Sequence, residues 1–86
     1  MRYTVTLERQ PQRALDSLRG DLLERILEAL HALADNPRPP GVKMLKGQRE
    51  HWRVRVGDWR IVYTIQDRAL IVLVLRIAHR REVYRD

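Results

Sequence analysis

Polar and apolar residues alternate over RYTVTL, residues 2–7, with Tyr3, Val5 and Leu7 on one side and Arg2, Thr4 and Thr6 on the other. A period of two predicts a short half-buried strand. The spacing then becomes helical. Ala14, Leu15 and Leu18 form one apolar stripe, Pro11 is tolerated in a first turn, and Gly20 is placed to end the helix in a left-handed conformation. Asp21 with Glu24 has the form of a capping box opening a second helix. Leu22, Leu23, Ile26, Leu27, Leu30, Leu33 and Ala34 recur at helical spacing, the strongest periodic signal in the chain. His31 lies off the centre of that stripe, as a surface residue. Asn36-Pro37 stops the helix, and NPRPPG is a rigid connector.

The second half reads as strands. HWRVRV (51–56) and WRIVYTIQ (59–66) flank Gly57-Asp58, a two-residue turn with Gly first that suits type II′. Asp67-Arg68 marks a second tight turn. ALIVLVLRI is apolar on both faces, which predicts a central strand covered, or nearly covered, on both sides. The order β-α-α-β-β-β predicts one α+β domain over residues 1–86, a helical hairpin packed on one face of an antiparallel sheet.

Alternation divides the first hairpin strand. Trp52, Val54 and Val56 share the face that meets the helices, and His51, Arg53 and Arg55 share the other. Arg60 opens the next strand just past the turn. Arg76 and Arg80 come from the end of the last strand or just after it. Like charges opposed on a sheet destabilise it, so this convergence points to a polyanionic ligand that neutralises them. The alternative is a solvated basic face. Trp52 and Trp59 read as core rather than as base-stacking platforms.

Charge sharpens the picture. The net charge of +6 lies entirely in residues 43–86, because the six arginines of residues 1–42 are balanced by six acids. A localised basic surface favours nucleic acid as the partner. At 86 residues there is room for a single core. Cysteine is absent, which excludes disulfides and thiolate metal sites, and His31, His51 and His79 have no metal-ligand spacing. No metal or other cofactor is expected. No leader is visible after Arg2, and Ala69–Leu75 is far too short to span a bilayer, so a cytoplasmic location with no membrane partner is expected.

LKGQREHWRVRVGDWRIVYTI followed by VLVLRIAHRREVYR resembles the RelE/ParE superfamily of toxins from type II toxin–antitoxin modules, over nearly the whole chain. The resemblance implies a RelE-like, microbial-RNase-like fold. It also implies one of two activities: ribosome-dependent endoribonuclease cleavage of mRNA in the A site, as in RelE-like members, or inhibition of DNA gyrase by protein binding, as in ParE-like members. Residues matching the RNase branch are Arg53 and Arg55 before the turn, Arg60 after it, Arg80 after the last strand, and Tyr84 near the C-terminus. That full set favours the RNase reading. His79 is a further candidate, and Lys43, Lys46, Arg76 and Arg81 extend the set as RNA-binding contacts. The resemblance implies a cognate antitoxin, partly disordered when free, besides the ribosome and mRNA.

The chain departs from better-known RelE members in carrying arginine at 53 and 55 where they have lysine. Arginine keeps its proton at accessible pH, so neither residue can shuttle one, although a phosphate-gripping role survives. Cleavage by the RNA's own 2′-hydroxyl needs in-line geometry, charge neutralisation at phosphorus and proton transfer. The arginines would supply charge. Tyr84 is the first choice for proton transfer, with His79 as its rival and His51 sharing the Arg53/Arg55 face.

Overall fold

The period-of-two segments pair into a single sheet, and the helical stripes cover one side of it. The computed structural model describes residues 2–45 and 50–83. The elements run β1 (Thr4–Leu7), α1 (Arg9–Ser17), α2 (Gly20–Asp35), β2 (Lys43–Leu45), β3 (His51–Val56), β4 (Trp59–Gln66), β5 (Ile71–His79) and α3 (Arg80–Val83). The strand order is β1-β5-β4-β3-β2. The expected α+β architecture is present, with three refinements. A short strand β2 extends the sheet edge, a single turn α3 follows β5, and β1 pairs with β5 in parallel while the other pairs are antiparallel. The helical hairpin carries the chain from β1 to β2 at the opposite edge of the sheet, and three antiparallel steps then bring β5 back beside β1 in the same direction.

The helix ends differ from expectation in detail. Gly20 does take a left-handed φ of 64°, but Leu18 and Arg19 are extended before it, so it serves the turn between the helices. Arg19 occupies the N-cap position of α2 and Asp21 sits in its first turn; no side chain caps the helix. Asp21 therefore helps through the helix dipole rather than through a capping box.

The core lies between the hairpin and the sheet. Ile26, Leu30 and Leu33 of α2 pack with Leu18 against Val56, Ile61, Tyr63, Val72, Val74 and Ile77. Each fully buried aliphatic side chain stabilises the fold by about 1.5–3 kcal/mol. Tyr63 is fully buried, and its hydroxyl donates to the Pro37 carbonyl at 2.7 Å, which fastens the connector to the sheet. Burial raises the Tyr63 pKa to about 12. Beyond the end of β1 the edge of β5 is closed by a side chain: the Gln10 amide donates to the Ile77 carbonyl and accepts from the Ile77 N–H, both at 2.9 Å.

The last strand was expected to be covered, or nearly covered, on both faces; it is buried on the helix side and partly covered on the other, where Ala78 opposite Arg60 is fully buried. Val72, Val74 and Ile77 are buried, whereas Leu73 and Leu75 are half-buried. The inward phase shifts from even to odd positions because β5 carries a bulge: Tyr63 pairs with Val74 and Val62 with Arg76, which leaves Leu75 as the extra residue. A bulge re-aims every following side chain. Strict alternation from Val72 and Val74 would drive Arg76 into the core. The bulge turns it to the opposite face. Among the described residues no helix is long and apolar enough to cross a membrane.

Candidate functional site

The sheet register builds the site. Arg55 stands directly across from Arg60, Arg53 from Val62 and from Lys43, and Val62 from Arg76. Cross-strand partners share a face, so Lys43, Arg53, Arg55, Arg60 and Arg76 all project away from the helices. Lys43, Arg53, Arg55 and Arg60 line one open pocket of about 230 Å³, with Gly41 at its side. The strands that carry them, β3 and β4, are joined by Gly57-Asp58, whose Gly57 has φ 60° as the first residue of a type II′ turn requires.

Arg60 is the least ordinary residue of the set. It is only 6% exposed, and its Nη1 donates to the Trp59 carbonyl at 3.1 Å. Among the described residues no carboxylate pairs with it. A buried cation without a countercharge is costly, and Arg55 across the ladder adds repulsion. Arg55 is exposed, and its Nε donates to the Gly57 carbonyl at 3.3 Å. The pocket therefore concentrates positive charge, and among the described residues no carboxylate pairs with its Arg55 or Arg60.

The other expected residues divide into three groups. Arg76 joins the basic face through the bulge. Arg80 is exposed at the start of α3, and its backbone N–H donates to the Asp58 carbonyl at 2.7 Å, which ties it to the hairpin turn; Arg81 is exposed beside it. Lys46 and Tyr84 lie outside the described residues.

His79 is placed elsewhere. It pairs with Trp59 across the ladder, on the helix-covered side, and meets the Trp59 ring edge-on at 6.0 Å between centroids. Its Nδ1 accepts from the Arg81 N–H at 3.4 Å. The imidazole thus holds the start of α3 and is not brought into the basic pocket. His51 does share the basic face and is half-buried. Trp52 and Trp59 are partly buried against the core. Among the described residues no three His, Asp or Glu side chains gather closely enough to hold a metal ion.

Two features of the site escape the pattern of the sequence. Gly41 reaches the pocket only because the connector is folded down on the sheet. Its neighbour Arg38 forks onto Asp67 at 3.0 and 3.3 Å and lies 5.3 Å over the Trp52 ring. The β5 bulge has a readable trace, a charged Arg76 at a position whose phase would otherwise be core.

The model of the ParE toxin of the type II toxin–antitoxin system parDE matches residues 2–84. The toxin RelG of Mycobacterium tuberculosis is 30% identical over 99% of this chain and 99% of its own length. Among solved structures, a chain of the archaeal RelE–RelB complex from Pyrococcus horikoshii superposes with a TM-score of 0.81 at 29% identity, over 93% of this chain and 97% of that one. A chain of the RelBE2 toxin–antitoxin complex of M. tuberculosis follows with a TM-score of 0.78 at 27% identity, over 92% of each. By family, fold and length together, this chain is a member of the RelE/ParE superfamily of toxins from type II toxin–antitoxin modules.

Proposed function

We propose that this toxin is an endoribonuclease that cuts mRNA in the ribosomal A site and works in the cytoplasm. The observation that carries the reading is the Lys43/Arg53/Arg55/Arg60 pocket, in which Arg60 is buried and forms no ion pair among the described residues. Such a pocket is built for an anion, and most strongly for one whose charge grows during reaction. In the reaction the RNA 2′-oxygen attacks the adjacent phosphorus in line. The P–O5′ bond breaks, and the products are a 2′,3′-cyclic phosphate and a 5′-hydroxyl. Arg60, Arg55, Arg53 and Arg80 stabilise the pentacoordinate phosphorane. The proton leaves the 2′-hydroxyl and another reaches O5′.

None of the arginines can move these protons, so the work falls to Tyr84, with the ribosome supplying much of the in-line geometry. His79, on the far side of the sheet, is the weaker rival. No metal takes part in this scheme. A cognate antitoxin neutralises the toxin, as complexes of similar toxins with RelB suggest.

The ParE family match favours a second reading, inhibition of DNA gyrase by protein binding. One experiment separates them. Purified toxin is added to a cell-free translation reaction and mRNA ends are mapped by primer extension. The nuclease reading expects cuts within the A-site codon and a 5′-hydroxyl downstream. Intact mRNA together with arrested supercoiling by gyrase would replace it with the ParE-like reading.

A further inference from the structure

The basic surface does not stop at the pocket. Arg25 lies on α2, whose Ile26, Leu30 and Leu33 enter the core. Its guanidinium lies against the hairpin turn. Nη2, Nη1 and Cζ come within 3.4, 3.6 and 3.8 Å of the point where a Cβ on Gly57 would stand. Asp21 and Glu28, four residues before and three after, are ordinary helical partners for an arginine. Among the described residues Arg25 forms an ion pair with neither.

The same turn receives two more arginines. Arg55 Nε donates to the Gly57 carbonyl at 3.3 Å, and the Arg80 N–H donates to the Asp58 carbonyl at 2.7 Å. The guanidinium groups of Arg25 and Arg55, from α2 and β3, therefore meet at one turn, to which Arg80 is tied by its backbone. The turn's own Asp58 forms no ion pair with any of them among the described residues. Arg55 also lines the pocket, so the tip is continuous with it.

We propose that Arg25, beside Arg55 at the edge of the pocket, forms a second phosphate site at the hairpin tip, which holds the phosphate of the substrate strand adjacent to the one in the pocket. The proposal rests on the nuclease reading and assigns the direction in which the RNA leaves the pocket, over the tip and toward α2. Gathering two guanidinium groups at one turn is unfavourable until an anion arrives. A single-stranded polyanion offers a second phosphate as soon as the first is bound.

The test is equilibrium binding of the full chain to a 2′-O-methylated hexaribonucleotide, which cannot be cut by its own 2′-oxygen, over a series of salt concentrations. Each phosphate contact contributes about 0.7 to the slope of log affinity against log salt for a single strand. Arg25→Gln should lower that slope by about 0.7 and weaken binding. Arg68→Gln removes the same charge from the turn at the opposite end of β4 and should leave the slope unchanged. A dinucleotide, with one internal phosphate, should bind Arg25→Gln and the unmodified toxin alike.

Gln keeps helical propensity on an exposed helix face, and urea unfolding verifies that the variant is folded. Equal hexanucleotide slopes for Arg25→Gln and the unmodified toxin overturn the proposal. So does a parallel fall in the Arg68→Gln variant, which would make the effect one of net charge. Unchanged hexanucleotide binding with weaker cleavage on the ribosome would assign Arg25 to ribosomal RNA and also overturn it. An unmodified toxin that binds neither oligonucleotide overturns the tip site, and the nuclease reading stands or falls separately, by cleavage of mRNA on the ribosome.

Discussion

Arg38 and Arg60 carry the same side chain into opposite settings. Arg38 is exposed on the connector, and both its terminal nitrogens reach Asp67, at 3.3 and 3.0 Å. Tyr3 donates its hydroxyl to the same carboxylate at 2.6 Å. Arg38 first, and then Tyr3, holds the Asp67 carboxyl below the ordinary carboxylate range. The Trp52 ring closes the cluster from one side. Every charge there has its partner inside the fold. Arg60 is buried, faces Arg55 across the ladder, and has one backbone carbonyl as its hydrogen-bond partner among the described residues. An arginine that the fold satisfies is holding structure. An arginine buried without a countercharge among the described residues costs stability, and the proposed reading has an RNA phosphate from outside supply that countercharge.

The largest expected effect breaks the comparison most directly. Arg60→Met keeps length and apolar bulk and removes the charge. Losing one contact to the growing charge of the transition state typically lowers the rate by about 10²–10³. Replacing a buried charge that lacks a countercharge with an apolar side chain of similar length removes its desolvation penalty. The variant should therefore lose single-turnover cleavage on the ribosome and unfold at the same or higher urea concentration. A variant that unfolds early while keeping its activity per folded molecule would make Arg60 a structural residue like Arg38.

The two settings also differ in how far the sequence exposes them. The strand limits of β3 and β4, the type II′ turn and the inward stripe of α2 are all readable, because period and turn chemistry are local properties. The sharing of one face by Arg53 and Arg55 is readable for the same reason. Their convergence with Arg60 needs only the two-residue turn, which fixes the register. The Arg38–Asp67 clamp is not readable, since it joins residues 29 apart in the chain through a connector without periodicity. The contact of Arg25 with Gly57 is hidden too, and the bulge at Leu75 leaves only the trace of a charged Arg76 at a core phase. Each depends on how two elements meet rather than on a pattern within one. His79 shows the converse. Its neighbour Arg80 suggests a place in the site, but the strand phase turns its ring toward Trp59.

A middle-sized effect probes the helix-covered side, where charge plays little part. Burial holds the Tyr63 pKa at about 12, above its ordinary 10.0. A raised pKa means that the folded state favours the neutral phenol. The contribution is complete below pH 10 and is lost as pH rises from about 10 to about 12. The loss should amount to about 1–3 kcal/mol of unfolding free energy. Tyr63→Phe should be less stable at neutral pH, because the Pro37 carbonyl loses its donor. It should also show a flatter decline across that alkaline window. Urea unfolding at a series of pH values measures both. An equally steep decline in the Phe variant would assign the alkaline loss to another group.

The smallest effect belongs to Arg38. Arg38→Met removes the fork to Asp67 and keeps a side chain able to pack on Trp52. The pair is exposed and screened by solvent, so the thermal midpoint should fall only slightly. The sign of the pH dependence is fixed by Asp67. A depressed carboxyl contributes above its ordinary range, and the contribution fades as pH falls through the lowered value. The difference between Arg38→Met and the unmodified toxin should therefore be present at neutral pH and vanish in acid. Raised salt should shrink it as well. Ribosomal cleavage per folded molecule should stay unchanged, since Arg38 does not line the pocket. Loss of cleavage comparable to that of Arg60→Met would show that the connector, through Gly41, sets the geometry of the pocket. The contrast between a satisfied and an unsatisfied arginine would then be one of degree.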